Sequence, residues 1–145
     1  MNLTLRIFLL SSLAVMAVMP GCSDGRPKRV PVSGQVLIDG KPLEHGFVQV
    51  IPANDRAASG QIGPDGRFTL STFTTDDGCV PGNHVVTIIA NESIDPQSQR
   101  WHAPKKYCDP TTSDLKIDIV DATDDLVINI SWDGGEPFVE RFDAE

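Results

Sequence analysis

Beyond its first two dozen residues the chain breaks into short β-prone runs, and none of them holds a helical period. Apolar and polar residues alternate for a few positions. Gly, Pro, Asp or Asn then closes the run, and the pattern recurs about every 10 to 20 residues, as in an antiparallel sandwich. Residues 30–38 are a predicted first strand, and Asp39-Gly40 closes it because a tight hairpin wants positive φ. Residues 46–51 are a second strand, ended by Pro52. Residues 59–62 and 67–71 flank Gly63-Pro64-Asp65-Gly66, where proline presets φ and Asp-Gly completes a hairpin turn. Residues 84–90 are apolar on both faces, which predicts a central strand. Residues 91–112 read as a long irregular stretch holding Trp101, His102, Tyr107 and Cys108. Segments of that length in compact domains are commonly functional, so Trp101, His102 and Tyr107 are the candidate ligand surface. Residues 115–120 and 126–131 alternate cleanly and predict a closing hairpin around 121–124. Residues 134–145 read as an acidic tail, with Phe138, Val139 and Phe142 able to add a weak strand.

The N-terminus follows different rules. Residues 7–19 are apolar except for Ser11 and Ser12, and Arg6 is the one charged side chain before them. Thirteen residues fall short of the roughly 20 that a membrane-spanning helix needs. They suit the apolar region of a secretory signal. Pro20-Gly21-Cys22 resembles the cleavage site of bacterial lipoproteins: Gly21 takes the small position and Cys22 the sulfur that receives diacylglycerol. Met19 and Pro20 depart from the usual Leu and Ala or Ser. The alternative is an ordinary signal with an incidental cysteine. The resemblance implies a signal over 1–21, lipidation at Cys22 and a tether over 22–29. With Ser23 rather than Asp after the cysteine, it also implies a cell-envelope address at the outer membrane. One acyl chain binds a membrane only marginally, at roughly 0.8 kcal/mol per buried methylene, whereas two or three hold firmly. The tether would keep the domain within about 25–30 Å of the surface.

Removing residues 1–21 leaves 124 of the 145 residues, enough for one domain over 30–133 plus the tail. With Arg6 gone, the formal net charge moves from −8 to −9. That balance argues against nucleic acid as a partner and against docking on anionic lipid by charge. Cys79 and Cys108 remain, and two cysteines in an oxidising compartment suggest a disulfide. The alternative is two separate buried thiols.

Val32-Ser33-Gly34-Gln35-Val36 followed by Asp39-Gly40-Lys41-Pro42-Leu43 resembles the opening of a transthyretin-like sandwich, and more narrowly a carboxypeptidase regulatory-like domain. Gly63-Pro64-Asp65-Gly66-Arg67-Phe68, Pro81-Gly82-Asn83-His84-Val85-Val86 and the segment from Tyr107 to Leu115 occur in the order found in small bacterial lipoproteins of that group. His84 stands where the family usually has an aromatic residue. The resemblance spans residues 30–131. It implies a seven-stranded, two-sheet, all-β sandwich with no catalytic centre, acting as a stabilising, binding or adhesion module.

No residue set suggests a cofactor. His45, His84 and His102 are scattered without metal-ligand spacing. Asp121, Asp124 and Asp125 lack the frame of a calcium loop. Ser59 and Ser113 have no nucleophile-elbow context. The partners expected are the membrane, through the lipid, and an envelope protein or glycan. A second reading is a carbohydrate-binding module using Trp101, Tyr107 and Trp132. A remote third is a hydrolase of the hydroxyisourate type, whose C-terminal motif is missing from Glu140-Arg141-Phe142-Asp143-Ala144-Glu145.

Overall fold

The computed structural model of the chain describes residues 25–142, so the expected signal and Cys22 lie outside the described residues. The architecture is all-β, with eleven strands and one short 3-10 turn among the described residues. Strand β1 (Val32–Ile38) organises the first sheet. On one side it pairs with β10 (Thr123–Ile130); on the other it pairs with β5 (Arg67–Thr69) and then β2 (Lys41–Pro42). The second sheet runs β4 (Ala58–Gln61), β3 (Phe47–Pro52), β6 (Gly82–Ile89), β9 (Lys116–Ile119). A third, smaller sheet holds β7 (Asn91–Asp95), β8 (Ser98–Trp101) and β11 (Phe138–Arg141).

The first two sheets share one core. Val32, Val36, Phe68, Ile128 and Ile130 from the first meet Val48, Val50, Ala58, Val86, Ile88 and Ile119 from the second. Each fully buried aliphatic side chain contributes about 1.5–3 kcal/mol of transfer free energy. Strand β6 lies between β3 and β9, the central place its two apolar faces predict. Asp39 and Gly40 have φ of 48° and 79°, the pair of positive values that a two-residue hairpin turn requires.

Four expectations are corrected. The pairing of β1 with β10 is parallel, so the fold is not wholly antiparallel. The 63–66 turn forms, closed by Gly63 N–H to Arg67 O at 2.9 Å, but its arms enter different sheets and share only the Ser59–Ser71 bridge. The supposed closing hairpin also divides: β9 joins β6, while β10 crosses to β1. Residues 91–112 are irregular only beyond Trp101, where the 3-10 turn Lys105–Cys108 interrupts them, and the weak strand expected in the tail forms as β11. β7 and β8 form a hairpin, and β11 adds to β8 with Phe138 opposite Trp101.

The disulfide expectation also fails: Cys79 and Cys108 are free thiols. Cys79 bridges to Val30 just before β1 begins. Cys108 follows Tyr107, whose hydroxyl meets Ser131 just past the end of β10, beside the far end of β1. The strand between them is about 20 Å long, and a disulfide needs Cα atoms within roughly 7 Å. Burial pushes the Cys79 thiol up to about 11.

Gly34 is the tightest point of the parallel pair. It follows a register shift in the β1–β10 ladder, and a Cβ there would lie 2.0 Å from the Leu126 carbonyl oxygen. Backbone cannot yield as a side-chain tip can. Gly34→Ala should therefore cost about 3 kcal/mol or more, read as a drop in the denaturant midpoint. An unchanged midpoint would show that the two strands do not approach this closely. Alkylation under native conditions should modify half-buried Cys108 and spare Cys79 until the chain unfolds. Recovery of a Cys79–Cys108 linked peptide without reduction would contradict the structure.

Candidate functional site

Trp101, His102 and Tyr107 come from one short span, and the structure gives them separate tasks. Trp101 ends β8 and is 6% exposed. Its indole N–H donates to Glu140 Oε2 at 2.9 Å, and Phe138 stacks beside it with ring centroids 6.4 Å apart. Trp132 meets Phe138 edge-on at 6.5 Å. Tyr107, also 6% exposed, lies in the 3-10 turn Lys105–Cys108. Its hydroxyl donates to Ser131 O at 3.3 Å and accepts from Ser131 N–H at 3.2 Å. A sugar platform needs an aromatic face open to solvent, and Trp101 and Tyr107 do not present one.

Glu140, on β11, was not singled out from sequence. It accepts from Lys105 Nζ at 2.6 Å, from Gln99 Nε2 at 2.9 Å and from the Trp101 indole. One carboxylate thereby ties the last strand to β8 and to the 3-10 turn. The Lys105 hydrogen bond, then those of Gln99 and Trp101, hold its carboxyl down to about 2. The apolar Phe138, Val139 and Phe142 were the available signal for a strand here; the partner strand was not readable from them.

His102 leaves β8 with its backbone N–H donating to Ala90 O at 2.7 Å. Its Nε2 lies 3.1 Å from Glu92 Oε2 on β7. His45, in the turn before β3, brings its ring to 5.1 Å from that of His102, centroid to centroid. Its Nε2 lies 3.2 Å from Asn91 O. The structure thus gathers two of the three histidines that look scattered in sequence. The third, His84, is a buried strand residue whose Nε2 lies 2.8 Å from Val80 O. Glu92 is held below the usual carboxylate range, first by the hydrogen bond from His102.

Gly46 makes the histidine approach possible. Its φ is +125°, and a Cβ would lie 2.5 Å from Ile89 O and 3.0 Å from the Ala90 side chain. The turn before β3 can therefore press against the chain where β6 passes into β7.

Two other regions complete the surface. An open groove of about 650 Å³ follows the seam where β4 and β5 part, with Ser33, Ser59, Gln61, Arg67, Thr69 and Asp76 in its lining. Near the N-terminus, Arg26, Arg29 and Arg56 each place a guanidinium 4.8–5.3 Å from the Phe73 ring centre. Arg29 pairs with Asp77 at 2.9 Å. Burial opposes the charge on Asp77, but N–H groups of Thr72, Thr74 and Phe73, with Arg29, hold its carboxyl below the usual range. Arg26 and Arg29, at the end of the expected tether over 22–29, thus lie against the domain. Asp121 precedes β10, while Asp124 and Asp125 lie exposed within it. Among the described residues no group of three or more His, Cys, Asp or Glu is arranged to hold a metal ion, and no helix is long and apolar enough to cross a membrane. No protein-family model, curated protein or solved structure matches the chain.

Glu140 yields a pH test. Its folded value lies below the ordinary 4.5 of a glutamate, so its contribution is complete above about pH 4.5 and is lost as pH falls through about 2. Wild type should be more stable than Glu140→Gln at neutral pH, with the gap closing between those two values. Thermal midpoints followed by tryptophan fluorescence would show this. A pH-independent gap would mean the carboxylate charge does not hold the strand.

Proposed function

We propose that this protein is a non-enzymatic lipoprotein of the cell envelope, anchored through Cys22 and presenting a transthyretin-like sandwich as a binding or structural module. The observation that carries this reading is the apolar run 7–19 ending in Gly21-Cys22, directly ahead of an all-β domain. Seven strands (β1, β3, β4, β5, β6, β9 and β10) make up the two core sheets once the two-residue β2 is set aside. That number supports the transthyretin-like type. The side chains richest in chemistry support a structural use: Trp101, Tyr107 and Glu140 bind one another's neighbourhood together, and Ser113 donates its hydroxyl to Val86 O. Ser23 after the cysteine favours the outer membrane.

The anchor is tested by growing cells with labelled palmitate. Wild type should incorporate label and fractionate with membranes, and Cys22→Ala should do neither. Equal label on both proteins, or none on wild type, overturns the assignment.

A further inference from the structure

We propose that β11 is a pairing edge for a second copy of this chain, the two strands running antiparallel about a two-fold axis at Glu140. The hydrogen-bond parity of the third sheet shows which groups are on offer. Phe142 N–H donates to Gln97 O at 2.8 Å, one step beyond the Arg141–Ser98 pair. Bonded and non-bonded pairs alternate along an antiparallel ladder. Phe138 and Glu140 therefore turn their backbone groups to β8, while Val139 and Arg141 turn theirs outward. Among the described residues no strand lies on that outward side of β11.

Two copies fit each other in one register. With the axis at Glu140, Val139 of each strand faces Arg141 of the other, and each such pair exchanges both N–H···O bonds. Every outward N–H and carbonyl of Val139 and Arg141 is then used. An axis at Val139 would instead set Pro137, which has no N–H, opposite Arg141 and leave a carbonyl unmet in each copy.

The side chains agree with that register. Phe138, Glu140 and Phe142 share the face of Trp101 and Gln99. Pairing lays Phe142 of each copy beside Phe138 of the other. It extends the cluster in which Phe138 already stacks on Trp101 at 6.4 Å and meets Trp132 at 6.5 Å. Cross-strand aromatic pairs are among the stabilising ones in sheets. Phe138, Val139 and Phe142 are 40%, 46% and 50% exposed, and a second copy would cover them. The two Glu140 carboxylates fall opposite each other, but each is already neutralised by its own Lys105 at 2.6 Å.

Other open edges are guarded. On β7 the Asn91 carbonyl is met by His45, and Glu92 and Asp95 line the strand. β10 begins with a register shift and carries Asp124 and Asp125. Charges and bulges of this kind keep edges from pairing. In β11 the Glu140 carboxylate is spent on β8 and the 3-10 turn, which leaves Arg141 as the strand's outward charge.

The test uses the full chain in detergent micelles, followed by analytical ultracentrifugation from micromolar to millimolar protein. A dimer should form as concentration rises. Val139→Pro should raise its Kd at least tenfold, because it deletes an outward N–H and leaves the β8 ladder whole. Val139→Lys should do the same through charge, and Val127→Lys on the edge of β10 should not. In case a variant fails to fold, amide exchange of the wild type provides a second readout. The Val139 and Arg141 N–H groups should exchange at least tenfold more slowly once the dimer fills. A monomer up to millimolar protein, a dimer indifferent to Val139→Pro, or exchange at 139 and 141 that ignores concentration would overturn the proposal. Protection that appears only when solubilised envelope proteins are added would give the edge to a different chain, and it too would overturn self-pairing. Lipid labelling at Cys22 does not bear on this outcome, so the two assignments fail independently.

Discussion

The passage of β6 into β7 through Ala90, with no turn between, is the constraint on which the peripheral structure depends. Strand β6 is anchored by the core on one face and by β3 and β9 at its edges. A chain leaving it without a loop inherits that rigidity. The β7–β8 hairpin is small and mostly exposed, and a lone hairpin is marginal in water. It persists because Ala90 accepts the His102 N–H, because Gly46 closes against the same bend, and because β11 covers the other edge of β8. Glu140 then fastens that covering strand by three hydrogen bonds in which it accepts for charged and neutral donors alike. Order thus spreads outward from one buried strand.

The elements visible in the sequence are those fixed by local physics. Asp39-Gly40 specifies its turn because few other pairs tolerate two positive φ values. The apolar faces of 84–90 specify a buried strand because exposing either would be costly. Partnership is a different matter. Alternation says which face of a strand is apolar and is silent about its neighbour. Residues 115–120 and 126–131 therefore look like a hairpin, though each has a better partner elsewhere. Only Val120, Asp121 and Ala122 separate β9 from the bulged start of β10. The chain uses that short link to change sheets. Gly34 marks the place where the parallel strand arrives, but a glycine in a strand does not announce what approaches it.

The candidate site was legible in its parts and hidden in its assembly. Trp101, His102 and Tyr107 stand out because aromatic residues are scarce in a polar stretch, and all three are indeed engaged in defined contacts. Their burial could not be anticipated, since it depends on β11 arriving from the C-terminus. His45 gave no signal. Its partner lies far along the chain, and only the Gly46 approach to Ile89 and Ala90 brings the rings together. The disulfide expectation failed for the same reason in reverse. A cysteine pair in one compartment is a statement about chemistry, and the length of β1 separates the Val30 bridge of Cys79 from the Ser131 contact of Tyr107, the neighbour of Cys108.

The N-terminal arginines and the histidine pair are linked through β6. Arg26 and Arg29 pack on Phe73, so the chain is docked from residue 26 onward. If Cys22 carries lipid, residues 23–25 can span at most about 10 Å, which would bring the Phe73 loop close to the membrane surface. That loop leads to Cys79 and the start of β6. His45 and His102 gather where the strand ends, eight residues on, or about 25 Å away at the rise of an extended strand. On that reading the Phe73 end of the sandwich would face the membrane, and the end carrying His45 and His102 would face away from it.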